Sequence, residues 1–344
     1  MNFKKLGNTD LKVSTICLGT MTWGEQNNQK EAFEQMDYAL DCGVNFFDAA
    51  EIYPSPCKEE TYGETERIIG NWFNQNKNRE KIILASKIAG PGLSWIRNGG
   101  QNFSEQKIKK ALEDSLQRLQ TDYIDLYQLH WPERKTNFFG RLGYEYSAED
   151  DGISIGETMD ALSDAIEAGK IRYIGVSNET PWGVMEYLKL ASKKNQPRIV
   201  SVQNPYSLLN RIYEVGLAEI SHRENVGLLA YSPLGFGMLT GKYEKSAPPD
   251  SRLGLYGDWF TRYSNDMCKK ATSEYIKIAK KFDISPTHLA LAFVNTRPFL
   301  TSNIIGATTL EQLRENIESV NIKLTDEMME EVEKIHELIP NPAP

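Results

Sequence analysis

The sequence predicts a (β/α)8 TIM barrel with an N-terminal β-hairpin, on three observations. Short apolar runs of strand length recur eight times and mostly alternate with stretches of helical apolar periodicity. Three successive runs stop at an ionisable side chain: Asn45-Phe46-Phe47 at Asp48, Ile82-Ile83-Leu84-Ala85-Ser86 at Lys87, and Tyr123-Ile124-Asp125-Leu126-Tyr127-Gln128-Leu129 at His130. These stops lie roughly 40 residues apart, about one strand-plus-helix unit with its loops, so their side chains leave neighbouring strands on one face. In a barrel that face, at the carboxyl ends of the strands, carries the chemistry.

A chain of 344 residues suits one domain, residues 1–344, because such barrels run past about 250 residues undivided. With 40% apolar and 25% charged residues, the composition is that of an ordinary globular protein. A net charge of −8 argues against nucleic acid or an anionic membrane as partner, since both need a clustered basic surface. No stretch approaches about 18 uninterrupted apolar residues, and Met1-Asn2-Phe3-Lys4-Lys5 is not followed by a signal-peptide core, so a cytoplasmic location is expected. Cys17, Cys42, Cys57 and Cys268 have neither CxxC spacing nor a nearby histidine, which points to reduced thiols and no metal site. The sequence leaves the oligomeric state open.

Residues 2–13 read as two short strands around Gly7-Asn8-Thr9-Asp10, a hairpin able to cap the bottom of the barrel. Ile16-Cys17-Leu18-Gly19 is the first barrel strand. The first helix, about Gln29 to Asp41, presents Phe33, Met36 and Leu40 and stops at Gly43. The second strand is the run ending at Asp48. After it, residues 54–62 are too rich in turn formers for a strand and are assigned to the pocket rim. A helix at 63–74, a strand at 82–86, a helix at 104–118 loosely opened by Ser104, and a strand at 123–129 continue the alternation. A long polar loop, 132–156, follows the fourth strand directly after His130, and loops of that length are usually functional. Next come a helix at 157–168, strand Ile171–Val176, a helix at 181–194, strand Ile199–Val202, a helix at 213–224 and strand Gly227–Ala230. A second irregular segment, 235–265, contains Pro248-Pro249. Helices at 266–282 and 286–294, strand Thr301–Ile305 and a helix at 310–320 complete the reading.

Asp48, Tyr53, Lys87 and His130 form a chemically coherent group. A phenol is a poor acid near neutral pH unless a cation favours its phenolate, which the Lys87 ammonium can do. A lysine among apolar walls keeps its proton only if paired, which gives Asp48 the role of counter-ion. His130 can orient a carbonyl by hydrogen bonding. Each residue also has a bland reading: Asp48 as a cap, Tyr53 as rim packing, Lys87 as a solvated strand end, His130 as a core histidine. Their arrival together at three consecutive strand ends singles out the chemical one.

These residues, with Gly175-Val176-Ser177-Asn178, Gln203-Asn204, Tyr231-Ser232-Pro233-Leu234, and Gly306-Ala307-Thr308 before Gln312-Leu313-Arg314-Glu315-Asn316, resemble the aldo-keto reductases from Leu6 through Asn316. Asn178-Glu179-Thr180, Gln203-Asn204-Pro205-Tyr206 and Leu239-Thr240-Gly241-Lys242-Tyr243 resemble in particular the branch holding the bacterial Tas-type proteins and the potassium-channel β subunits. The resemblance implies NADP(H)-dependent reduction of a small-molecule aldehyde or ketone. Tyr53 would be the general acid, tuned by Lys87 and Asp48, with His130 positioning the carbonyl. It further implies that Ser177, Asn178 and Gln203 hold the nicotinamide carboxamide and that Tyr231 stacks on its ring, with Thr20 and Gln26 nearby. Ser232, Pro233, Leu234 and Gly235 would line the pyrophosphate path under Lys242 and Arg252, and Gly306, Thr308, Gln312, Glu315 and Asn316 would hold the adenosine end.

This chain departs from many relatives in having no lysine or arginine within Gly306–Gln312, which leaves Arg252, with Arg314 second, to meet a 2′-phosphate. The segment between Tyr53 and Gly63 is also longer than in many members. The rival reading is a nicotinamide-binding regulatory protein on the same fold with negligible turnover. Trp23, Trp95, Trp131 and Trp182 are the tryptophans expected to reach the pocket mouth, with packing roles as the alternative.

Overall fold

Alternation of apolar strands with amphipathic helices gives the expected closed barrel. The computed structural model describes residues 1–98, 100–147 and 152–344. Strands β1 (Phe3–Lys5) and β2 (Lys12–Ser14) form the antiparallel hairpin. Eight parallel strands follow: β3 (Ile16–Gly19), β4 (Phe46–Asp48), β5 (Ile83–Ile88), β6 (Ile124–Leu129), β7 (Ile171–Ser177), β8 (Ile199–Pro205), β9 (Gly227–Tyr231) and β10 (Leu300–Ile305). They pair in sequence order, and β10 closes on β3.

Around them lie α1 (Gln29–Asp41), α2 (Glu64–Asn76), α3 (Glu105–Leu119), α4 (Ile155–Glu167), α5 (Pro181–Lys194), α6 (Tyr213–Glu224), α7 (Arg252–Tyr256), α8 (Asp266–Lys281), α9 (Pro286–Asn295), α10 (Leu310–Glu318) and α11 (Asp326–Leu338). Their starts follow local chemistry. Asn28 and Glu31 form a capping box on α1, while Thr180-Pro181 and Ser285-Pro286 pair a capping hydroxyl with a proline at the first helical position.

The period of two along each strand separates two cores. One side of every strand packs against the helices, as Leu18, Phe47, Leu84, Tyr127 and Leu129 do. The other side fills the barrel, where Cys17, Phe46, Ala85, Leu126, Val200, Leu229 and Ile304 form an apolar layer sealed below by Leu6, Leu11 and Val13 of the hairpin. Two residues further along the same inward rows stand Asp48 after Phe46, Lys87 after Ala85, Gln128 after Leu126 and Tyr231 after Leu229. The interior therefore turns from apolar to polar towards the carboxyl ends. Gly175 sits in this polar layer because a Cβ there would lie 2.7 Å from Ser201 Oγ and 3.3 Å from Gln128 Cγ.

Several elements differ from the sequence expectation. β5, β8 and β9 run on to Ile88, Pro205 and Tyr231, so Lys87, Gln203 and Tyr231 are strand residues held by the ladder rather than residues beyond it. On α1 the buried face is Ala32, Gln35, Met36 and Ala39, with Phe33 and Leu40 at its half-buried margins. Ala32 and Ala39 share the fully buried face with the larger Gln35 and Met36. Ser104 gives α3 no side-chain cap; its hydroxyl donates to Asn102 Oδ1 instead. The segment expected to be irregular over 235–265 contains a kinked 3-10 stretch, Gly235–Thr240, and α7. Of the loop expected over 132–156, residues 148–151 lie outside the described residues, and α4 begins at Ile155. Helix α11, which the sequence reading did not include, is capped by Thr325 and packs on α8, where Lys281 pairs with Glu327 and Glu331.

Gly70 marks the closest helix contact: a Cβ there would lie 2.2 Å from the backbone oxygen of Arg118 at the end of α3. Gly70→Ala should destabilise the protein by about 1–3 kcal/mol despite its gain in helix propensity, because backbone must move to admit the methyl. A urea midpoint equal to or above the parent's would contradict this packing.

Candidate active site

The carboxylate ending β4 needs compensation, because burial in a barrel removes the water that would stabilise it. Asp48 Oδ2 accepts a 2.7 Å bond from Lys87 Nζ, and its Oδ1 accepts from Gln203 Nε2 at 2.8 Å and Gln128 Nε2 at 3.1 Å. Lys87 is fully buried, and its three donors find three acceptors: Asp48, the backbone oxygen of Ala49 at 2.7 Å, and Tyr53 Oη at 3.4 Å. Thr20 Oγ1 donates to the backbone oxygen of Asp48 at 2.9 Å, tying β3 to the same point.

Tyr53 reaches this group because residues 49–53 are held from both sides. The Ala49 amide donates to Ala85 O and the Glu51 amide to Lys87 O. The buried Glu51 carboxylate accepts from the Ala89 amide, from Tyr62 Oη at 2.6 Å, and from both terminal nitrogens of Arg97 at 2.6 and 2.7 Å. A bidentate pair of this kind fixes orientation as well as charge.

The expected lowering of the Tyr53 phenol does not appear. Burial, and next the Asp48 carboxylate, push it well above its ordinary value, with Arg252 acting the other way. Burial dominates, and the Lys87 ammonium makes its two short bonds to Asp48 and Ala49 and only a long one, 3.4 Å, to the phenol. Tyr53 therefore carries its proton at neutral pH. His130 meets Tyr53 edge-on, with ring centroids 5.7 Å apart, and burial followed by the Lys87 charge holds its imidazole well below its usual value, so it is neutral.

Asp48, Tyr53 and His130 open onto a cavity of about 930 Å³, with Lys87 just behind its wall. The cavity is also lined by Thr20, Gln26, Ser177, Asn178, Gln203, Tyr231, Ser232, Pro233, Leu234, Lys242, Arg252, Gly306, Thr308, Gln312, Glu315 and Asn316. Asn178 links two strand ends, donating to the His130 backbone oxygen at 2.8 Å while accepting from Tyr231 Oη at 2.6 Å. At the far end Thr308 and Gln312 are joined through the Gln312 amide oxygen, Asn316 donates to Gly306 O, and Ser285 donates to Glu315.

Gly235 does not border the cavity; a Cβ there would lie 3.1 Å from both Leu209 Cδ1 and Tyr263 Cδ1, so it serves the turn, at φ +53°. Arg314 is likewise off the wall, exposed on α10 and lying over the Tyr38 ring. Of the four tryptophans, Trp131 borders the cavity. Trp23 is buried against Gln35, Trp95 packs on Tyr62, and Trp182 lies under Arg134 at the surface.

Sequence reasoning missed Phe139, Phe236, Trp259, Phe260 and Arg262, all on the wall. They stand on the two long segments, where no periodicity assigns a direction. Ser285 and Thr287 carried a usable signal, the Ser-Pro helix start.

The residues present fit a dinucleotide phosphate. Arg252 lies between the rings of Phe236 and Phe260, 5.4 Å from each centroid, and Lys242 lies beside Tyr243. Among the described residues neither has a carboxylate within ion-pair range. At Gly306 a Cβ would meet nothing within 4 Å, so its backbone faces open space. Two cations without counter-charge and an open glycine turn ahead of the α10 N-terminus suit an anionic ligand.

The Aldo/keto reductase family model matches residues 15–337. Protein tas of Escherichia coli (strain K12) is 50% identical over the whole of both chains. The uncharacterized oxidoreductase YrpG of Bacillus subtilis is 35% identical over all of this chain and 97% of its own. A probable voltage-gated potassium channel subunit beta of Arabidopsis thaliana is 31% identical over 97% of this chain and 96% of its own.

Removing one partner of the buried pair leaves the other charge uncompensated. Lys87→Met should therefore cost about 3–5 kcal/mol of stability, and adding Asp48→Asn to it should recover part of that loss. Denaturant midpoints of the parent, the two single variants and the double variant check this; strictly additive losses would contradict the coupling.

Proposed function

The chain belongs to the aldo/keto reductase family, and from that premise we propose that it reduces aldehydes or ketones to alcohols with NADPH, Tyr53 supplying the proton. The observation that carries this reading is a protonated phenol on the cavity wall, 3.4 Å from an ammonium that is itself locked to a carboxylate.

Ser177, Asn178, Gln203 and Tyr231 would hold the nicotinamide end, Lys242 and Arg252 the phosphates, and Gly306, Thr308, Gln312, Glu315 and Asn316 the adenosine end. When bound, the reduced nicotinamide supplies the hydride that the carbonyl carbon receives. The chain's own residues manage the other atom. His130, neutral and edge-on to Tyr53, orients the carbonyl oxygen by hydrogen bonding, and the buried phenol passes its proton to that oxygen as negative charge develops there. The Lys87 ammonium stabilises the phenolate formed on proton transfer, because its attraction for the oxygen 3.4 Å away strengthens once that oxygen is charged. Asp48 keeps Lys87 aimed at the phenol.

A second reading, a nicotinamide-binding regulatory protein with negligible turnover, draws support from the identity with the Arabidopsis channel subunit. Oxidation of NADPH in the presence of 4-nitrobenzaldehyde separates the two: sustained turnover supports the reductase, and cofactor binding without turnover supports the regulator. Tyr53→Phe should lower kcat/KM by roughly 10²- to 10⁴-fold while cofactor affinity stays near the parent's, since only the transferable proton is lost. More than about a tenth of the parent rate would rule Tyr53 out as the proton donor.

Arg252→Ala should weaken NADPH binding by about 10- to 150-fold and hardly change NADH, because a guanidinium binds a phosphate dianion through two parallel bonds. Titration by tryptophan quenching checks this, and equal losses for the two cofactors would contradict it.

A further inference from the structure

Arg262 is a third cation on the cavity wall, and no role described above uses it. Its guanidinium donates a long bond, 3.5 Å, to Tyr231 Oη and lies 6.0 Å from the centre of the Phe139 ring. Phe139 packs edge-on against Trp131 with centroids 5.6 Å apart, Trp131 lies 5.2 Å from His130, and His130 meets Tyr53. This run of contacts links Arg262 to the end of the cavity that holds the proton donor, whereas Arg252 is enclosed between Phe236 and Phe260 and Lys242 lies beside Tyr243.

Its surroundings lack a counter-charge. Arg262 has no carboxylate within ion-pair range among the described residues. Of the acids on the wall, Asp48 is held by Lys87, Glu315 by Ser285, and Asp250 is exposed two residues from Arg252. The chain-terminal Pro344 borders Gly140, as does Arg262 Nε, without forming an ion pair with it. A half-buried guanidinium facing aromatic rings and, among the described residues, without an ion-pair partner, is placed to receive an anion from the cavity.

We propose that the carbonyl substrates this protein prefers carry a carboxylate, which Arg262 binds while the apolar body lies among Trp131, Phe139, Trp259 and Phe260 and the carbonyl reaches Tyr53 and His130. The proposal rests on the reductase reading and adds a substrate class to it.

The test compares 4-carboxybenzaldehyde with 4-nitrobenzaldehyde, which match in shape and differ in charge, and also follows binding of unreactive benzoate to the NADP-loaded protein by tryptophan fluorescence. In the parent, kcat/KM should favour the carboxylated aldehyde by about tenfold or more, and Arg262→Gln should collapse that ratio by about 10- to 150-fold, chiefly through KM. Arg262→Lys, which keeps the charge but not the fork, should restore part of the preference. Benzoate binding should fall in parallel.

A parent ratio at or below one, or a ratio unmoved by Arg262→Gln, overturns the proposal while leaving the reductase reading intact. Absence of turnover with both aldehydes, together with Arg262-dependent benzoate binding, sinks the reductase reading and sustains the anion site. Loss of both turnover and benzoate binding sinks both.

Discussion

The Asp48–Lys87 pair is the interaction on which the rest of the site depends. Two opposite charges enclosed by a barrel are tolerable only with good geometry and with every remaining donor and acceptor satisfied. The inward rows of four strands meet that demand: β4 gives the acid, β5 the ammonium, and β6 and β8 the two glutamine amides that occupy the second carboxylate oxygen. The third donor of Lys87 faces Tyr53, so the requirement that satisfies the pair also aims the ammonium at the phenol. Glu51 and Arg97, a second buried pair, fix the other side of the short segment that carries Tyr53. A phenol raised by burial and by Asp48, beside an ammonium, is a protonated donor whose conjugate base is formed next to a cation.

Charge is distributed along the cavity in a way that the net value of −8 hides. Among the described residues Arg252, Lys242 and Arg262, all on the cavity wall, form no ion pair with an acid. All three are supplied by the segment between β9 and α8. That segment crosses the barrel top through Tyr256, which donates to Glu25, while Glu25 also pairs with Lys58 of the loop after β4.

Much of this was legible in the sequence because the barrel writes itself in short-range signals. Strand runs, helical periodicity and the stop at Gly43 located the eight strands within a few residues, and the stops at Asp48, Lys87 and His130 pointed to one face. What the sequence could not express was direction set by packing. Phe33, Met36 and Leu40 looked like the inner face of α1 because size dominates an apolar pattern; Met36 is buried there, but Ala32 and Ala39 share that face and Phe33 and Leu40 lie at its margins. Arg314 turns outward because Leu313 and Ile317 hold α10 by its other side. Arg262, Trp259 and Phe260 belong to a segment without periodicity, positioned by ring contacts and by Tyr256 rather than by a ladder. The phenol's upward shift also escaped the sequence, since proximity to a lysine does not reveal how deeply the phenol is buried or that a carboxylate faces it as well.

The central claim, that burial and the Asp48–Lys87 pair leave Tyr53 a protonated donor at rest, is tested most directly by titrating its phenolate absorbance in the ultraviolet. The parent-minus-Tyr53→Phe difference spectrum isolates this one residue, with folding monitored throughout. A raised phenol stays protonated below its shifted value, so the difference spectrum should show no phenolate from Tyr53 up to about pH 10. A phenolate signal with a midpoint near pH 7–8 would mean that Lys87 outweighs burial and Asp48, and would contradict the account.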